Sequence, residues 1–220
     1  MAMMQMIREF WSLSLMLAPM VVLAGLEFEN KRLDVTARVG DTQVEAVFKF
    51  VNKGDAAVEI AKIQTSCTCA TASVEKKIYE PNEAGEIKVK FVFGERSGEQ
   101  LEQVVVAVKD EGIQRLSFRV VIPTYLQIEP ASLSWDADGK EARGKMEIKI
   151  PDDIPPAQAV QIKSKNPRLN TTLREKEKGC LYELQIEPKE PAEKRREEIV
   201  IEATFDKIGT KRAKAYVHVQ

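Results

Sequence analysis

Val44-Glu45-Ala46-Val47-Phe48-Lys49-Phe50-Val51 runs directly into Asn52-Lys53-Gly54-Asp55. Successive side chains of an extended chain point to opposite sides, so Val44, Ala46, Phe48 and Phe50 share one face. The period is two, and the four residues that follow carry turn chemistry. Upstream, Leu33, Val35, Ala37 and Val39 alternate in the same way. Downstream, the pattern returns in Ile87, Val89, Phe91 and Phe93, and in Leu116, Phe118, Val120 and Ile122. Glu95-Arg96-Ser97-Gly98 supplies another turn between strands. No window of comparable length has the 3.6-residue period of a strong amphipathic helix. The chain reads as all-β, with Phe48, Phe50, Phe91, Phe93 and Phe118 expected inside a first core.

A second set of strands begins after Pro123. Met146, Ile148 and Ile150 alternate, as do Cys180, Tyr182, Leu184 and Ile186, which directs Cys180 into a second core. The set continues through Val200, with Glu202 placed opposite it, and through Tyr216 and Val217 to Val219. A cut near Thr124 gives two nearly equal pieces, 25–123 and 124–220. Each is close to the ~100 residues of an immunoglobulin-like sandwich of about seven strands. Each opens on an apolar-x-aromatic triplet, Leu26-Glu27-Phe28 and Leu133-Ser134-Trp135, a hint of duplication. Ile122-Pro123-Thr124-Tyr125-Leu126 contains no Gly/Ser spacer, so a short and stiff link is expected.

The composition narrows the chemistry. Of 220 residues, 44% are hydrophobic and 30% charged, enough apolar material for a packed core. The 33 Lys+Arg against 34 Asp+Glu leave no basic field to gather nucleic acid. Lys194-Arg195-Arg196 is followed at once by Glu197-Glu198, so its field largely cancels and it reads as a solvated hairpin tip. The single histidine, His218, excludes chemistry that needs several imidazoles, such as His-x-x-x-His zinc hydrolases and most Ser-His-Asp machinery. No phosphate-binding glycine loop occurs. Asn170-Thr171-Thr172 satisfies a glycosylation sequon, which matters only in a glycosylating host. No catalytic constellation is visible, and a non-enzyme is expected.

The first two dozen residues differ from the rest. Arg8 precedes a largely apolar run from Phe10 to Ala24, and Val22-Leu23-Ala24 suits a cleavage site before Gly25. This is the anatomy of a secretory signal. The run is short of the ~20 residues that span a bilayer. Residues 1–24 are therefore expected to be a signal peptide, and the protein to be periplasmic or extracellular. Membrane contact is expected only through this segment, if it stays uncleaved.

Three cysteines remain: Cys67, Cys69 and Cys180. Cys67 and Cys180 would bridge the two pieces, so neither piece has an internal strand-to-strand disulfide. In Ser66-Cys67-Thr68-Cys69-Ala70, an extended backbone sends both sulfurs to one face with Cα atoms ~6.5–7 Å apart. That is the outer limit for a disulfide, so a bridge requires the strand to kink or bulge. Four states are open: two buried thiols, a strained and easily reduced disulfide, a two-sulfur site for Cu(I), or half of an intermolecular site. Zinc would need two further ligands, and His218 with Cys180 are remote candidates.

Several stretches together resemble one bacterial family, domain of unknown function fifteen-seventy-three, within the immunoglobulin-like superfamily of ASPM–SPD-2–Hydin and PapD-like domains. The resemblance rests on Phe48-Lys49-Phe50-Val51-Asn52-Lys53-Gly54, on Ser66-Cys67-Thr68-Cys69-Ala70, and on Pro81-Asn82-Glu83-Ala84-Gly85 leading into a strand. It covers roughly residues 26–120. Asn82 stands where the family pattern has its first glycine, and Ala70 where it has threonine. The resemblance implies exported β-sandwich proteins with no established activity, and makes the Ser-Cys-x-Cys stretch part of a family pattern.

The expected architecture is two consecutive immunoglobulin-like β-sandwich domains after an N-terminal signal peptide. The expected function is a non-enzymatic binding or adaptor module, whose partner is an envelope or extracellular protein and not nucleic acid. The alternative is a periplasmic thiol-redox or Cu(I)-handling protein using Cys67 and Cys69 as the reactive or metal-ligating pair. Solvent access to the two sulfurs separates these readings, since burial beneath Phe48 and Phe50 favours the first.

Overall fold

The computed structural model describes residues 25–135, 144–163, 168–188 and 195–219; the expected signal segment 1–24 lies outside them. The first half contributes β1 (Leu26–Phe28), β2 (Arg32–Thr36), β3 (Gln43–Asn52), β4 (Val58–Thr65), β5 (Ala70–Val74), β6 (Ile78–Tyr79), β7 (Ala84–Val92), β8 (Gly98–Val108) and β9 (Gly112–Ile122). The second contributes β10 (Gln127–Glu129), β11 (Ser132–Trp135), β12 (Gly144–Lys149), β13 (Ala159–Ile162), β14 (Leu169–Glu177), β15 (Leu181–Pro188), β16 (Arg195–Phe205) and β17 (Gly209–Val219). The described residues contain no helix. The protein is all-β.

Both halves have the same wiring. In the first, one sheet runs β1-β3-β7-β5 and the other β2-β9-β8-β4-β6. In the second, the orders are β10-β12-β15-β14 and β11-β17-β16-β13. Apart from the short β6, each strand of the first half has a counterpart in the second. The opening strand of each half is broken into two segments. The leading segment pairs antiparallel with β3 or β12. The trailing segment pairs parallel with the last strand, β9 or β17. This switching is the immunoglobulin-like sandwich arrangement, two antiparallel sheets closed by a strand that visits both. The duplication hint is thus supported by topology, but the two triplets are not counterparts. Leu26-Glu27-Phe28 forms β1, whose counterpart is β10, whereas Leu133-Ser134-Trp135 forms β11, the counterpart of β2.

Two separate cores fill the sandwiches. The first is built from residues between Leu26 and Ile122 and the second from residues between Tyr125 and Val219. Phe48, Phe50, Phe91, Phe93 and Phe118 are all buried in the first, as their parity requires. Phe91 and Phe118 meet edge to face across the sheets, with ring centroids 5.8 Å apart. At the junction, Gly40 N–H donates to Tyr125 Oη at 2.8 Å, and Arg212 reaches Glu95 at 3.3 Å.

Three sequence expectations change here. Cys180 lies in the turn before β15 and is half-exposed, outside the second core. Val200 and Glu202 share the outer face of β16, and Ile199, Ile201 and Ala203 are the residues that fill the core. Glu202 is nevertheless buried, beneath Arg212 at 2.7 Å and Gln161 at 3.1 Å. Finally, Arg195 and Arg196 are strand residues at the start of β16, which lies in a different sheet from β15, while Lys194 lies outside the described residues.

The β3–β4 turn shows how the opening stretch locks in place. Asn52 is fully buried, and its Nδ2 donates to the carbonyls of Ala56 at 2.8 Å and Tyr79 at 2.9 Å. Its Oδ1 accepts from Gly54 N–H at 2.9 Å. Asn82 adopts a left-handed backbone, φ 62°, a conformation that asparagine tolerates better than most side chains. That accounts for an asparagine at a glycine position. Gly85 is needed for a different reason: a Cβ there would collide with the rings of Phe50 and Tyr79. Those rings pack edge to face with centroids 4.8 Å apart.

Candidate functional site

The Ser66–Cys69 segment connects β4 to β5 and is a turn, not a strand. It crosses from one sheet of the first sandwich to the other, and backbone bonds hold both ends. Ser66 N–H donates to Gln103 O of β8 at 2.9 Å, and Val92 N–H of β7 donates to Cys69 O at 2.9 Å. Within the turn, Ala70 N–H reaches Cys67 O at 3.4 Å, and Thr65 Oγ1 lies 3.0 Å from the carbonyl oxygens of both Cys67 and Ala70. The bend brings the two cysteine Cα atoms to 5.2 Å, well inside the extended-strand spacing, and Cys67 and Cys69 are joined by a disulfide. The kink that a bridge requires is therefore the β4–β5 turn itself. Both cysteines are partly buried against the first core, while Ser66 and Thr68 are exposed residues.

Beside the bridge stands a residue that sequence reasoning missed. Glu102 lies on β8 with the parity of Val104, Val106 and Val108, so it points inward, and it is only 8% exposed. Its Oε2 accepts from the Ser66 hydroxyl at 2.5 Å, while Gln103 N–H donates to the same Ser66 Oγ at 3.0 Å. Oε1 faces Cys69 Sγ at 4.0 Å. Burying a carboxylate is costly unless it is paired. Among the described residues no lysine or arginine forms an ion pair with Glu102, whereas the other buried carboxylate, Glu202, has Arg212 and Lys163.

The three side chains form a compact group. One ligand-type atom from each of Cys67, Cys69 and Glu102 lies within 4.8 Å of the other two. Cys67 Sγ also accepts the backbone N–H of Cys69 at 3.1 Å, a fixed donor for negative charge on that sulfur. Cys180 and His218, weighed as remote zinc ligands, are on β-elements of the second sandwich or its turns and do not join this group.

Residues 26–122, a little under half of the chain, match a protein family of unknown function. That family is DUF1573. The DUF1573 match spans the whole first sandwich, including the Ser66–Cys69 turn, Glu102 and the Asn52 and Gly85 positions. No curated protein matches the chain at a significant level. Among solved structures, the PapD-like domain 7 of human CEP192 is 15% identical with a TM-score of 0.36, over 53% of this chain and 99% of that one. A protein of unknown function from Porphyromonas gingivalis W83 is 15% identical with a TM-score of 0.31, over 88% of this chain and 99% of that one. The Vibrio cholerae VesB protease is 14% identical with a TM-score of 0.37 over 45% of this chain, which spans about a third of the protease.

Proposed function

We propose that the protein is an exported β-sandwich protein that exchanges thiols and disulfides with a protein partner through Cys67 and Cys69. The observation that carries this reading is the half-exposed bridge on a turn, set against a buried carboxylate without a cation. A purely packed pair would be fully buried, whereas this one packs against the first core and is only partly buried. An exported location supplies the oxidising surroundings in which such a bridge persists. The reaction is a two-electron exchange. A partner thiolate attacks one sulfur of the bridge, the other sulfur departs as a thiolate, and a second partner thiolate resolves the mixed disulfide. The partner leaves as a disulfide, and Cys67 and Cys69 take up the two protons its thiols lose. Cys67 is the sulfur prepared to depart, because the Cys69 N–H already points at it.

Recognition has a natural location. β5 begins directly after Cys69 and is an edge of the β1-β3-β7-β5 sheet, where an extended partner segment can pair alongside the bridge. The adaptor reading survives here as a second possibility, binding at this edge without chemistry. The test is trapping in the native host. Cys67→Ser and Cys69→Ser variants should each accumulate a reductant-sensitive mixed disulfide, and the double variant none. Differential alkylation with mass spectrometry should find the wild-type pair bridged. A pair that is free in the native protein, with no trapped species, overturns the proposal; a partner held equally well by the double variant leaves an adaptor.

A further inference from the structure

We infer that the reduced protein holds a zinc ion between Cys67, Cys69 and Glu102, with a fourth position left open. The inference rests on the bridge being reversible and extends that reading to what the opened site does. Zinc takes thiolate sulfur at ~2.3 Å and carboxylate oxygen at ~2.0–2.2 Å in a tetrahedron. Those lengths set neighbouring ligand atoms about 3.5–3.8 Å apart. Cys69 Sγ and Glu102 Oε1 already stand at 4.0 Å. All three ligand atoms lie within 4.8 Å of one another, and reduction of the sulfur–sulfur bond releases the two sulfurs to separate.

The surroundings of Glu102 suit a ligand. The Ser66 hydroxyl engages Oε2, and Gln103 N–H fixes that hydroxyl in turn, which leaves Oε1 aimed at the sulfurs. Partners of this kind orient ligands in metal sites. The missing counter-charge is explained as well, because a divalent cation would neutralise a buried carboxylate that no lysine or arginine among the described residues pairs with. The donor set also selects the ion. Two thiolates and one carboxylate suit zinc, whereas Cu(I) prefers sulfur alone and magnesium or calcium prefers oxygen alone. The zinc option, set aside in the sequence for want of ligands, gains its third ligand from β8. The open fourth position, on an exposed turn, admits water or a donor from a partner.

The balance is simple. A dithiol reductant converts the bridge to two thiols and becomes a disulfide itself; zinc then displaces two protons to form the dithiolate–carboxylate site. Oxidation and zinc loading exclude each other.

The experiment uses the full chain, reduced by a phosphine so that no added thiol competes for metal. Zinc titrated against a chromophoric chelator should bind one to one in the reduced protein and not in the oxidised protein. Cobalt substituted for zinc should give the visible spectrum of a tetrahedral site together with sulfur-to-metal charge transfer. Cys67→Ser and Cys69→Ser should abolish binding, Cys180→Ala should leave it intact, and Glu102→Gln should weaken it at least tenfold with an unchanged circular-dichroism spectrum. Should Glu102→Gln fail to fold, the wild-type cobalt spectrum decides alone, since a non-tetrahedral spectrum overturns the inference. So does one-to-one binding that Glu102→Gln leaves unaltered, or no binding by the reduced protein. Neither failure touches the exchange proposal, which is read from trapped partners without metal.

Discussion

Asn52→Ala removes one side chain and three hydrogen bonds from the closing turn of the first sandwich. The bond to Tyr79 O and the bond from Gly54 N–H lie in the interior, and the bond to Ala56 O is half-buried. A buried backbone group left without a partner costs about 1–3 kcal/mol. Taking about 2 kcal/mol for each interior bond and about 1 for the third gives about 5 kcal/mol. That is a large share of the ~5–15 kcal/mol that holds a domain together. Asn52→Asp should be no better, because its carboxylate would face two carbonyl oxygens where the amide donated. The assay has a built-in control. From Gly25 onward the chain has a single tryptophan, Trp135, which packs against the second core. Urea unfolding followed by far-ultraviolet circular dichroism should show the first sandwich melting early, while Trp135 fluorescence keeps its midpoint. A loss below about 1 kcal/mol would refute the anchoring role, taking that as half of one interior bond. A matching shift in Trp135 fluorescence would refute the independence of the two cores.

Three more outcomes follow from the same geometry. Gly85→Ala should destabilise the first sandwich by about 1–3 kcal/mol, since its methyl group meets buried rings on both sides; an unchanged urea midpoint would mean Phe50 and Tyr79 can repack. The Arg212 hydrogen bond, then the charges of Arg212 and Lys163, hold the Glu202 carboxyl below the usual carboxylate range. Glu202 therefore stabilises the fold fully above the unfolded carboxyl value of ~4.3, and this contribution disappears as pH falls through the lower folded value. Arg212→Gln should shrink that acid-side dependence of the melting temperature, and an identical pH profile would contradict the pairing. Cys180, free and half-exposed, should label with a thiol reagent in the native protein without reductant, whereas Cys67 and Cys69 should label only after reduction; the reverse order would undo both assignments.

The faces of the strands were legible wherever one parity is apolar and the other is not. Phe48 and Phe50, or Ile87 and Val89, can point only one way if their strands are to bury anything. Ile199-Val200-Ile201 is apolar on both parities, so its face depended on Arg212 of β17, Gln161 of β13 and Lys163 just after β13 covering Glu202. Cys180 was misplaced because parity holds only while the strand lasts. Gly179 has φ 69°, and the alternation starts afresh at Leu181. The Cys67–Cys69 turn has neither glycine nor proline to announce it; contacts to β7 and β8, remote in sequence, bend it. Glu102 did leave a signal, a charged residue in step with Val104, Val106 and Val108. Its proximity to the sulfurs came only from the pairing of β4 with β8.

The broken opening strand also determines how the molecule carries load. In each sandwich the trailing segment of that strand runs parallel to the last one, β2 beside β9 and β11 beside β17. Tension applied to the two ends of a sandwich therefore pulls these neighbours lengthwise past each other. The five registered pairs of the first and the four of the second must yield together, where a hairpin pulled from its open end would unzip rung by rung. Forced unfolding is governed by the barrier to that shared rupture rather than by overall stability. Each sandwich therefore carries its own shear-loaded pair, which must rupture before that sandwich can be drawn out by its ends.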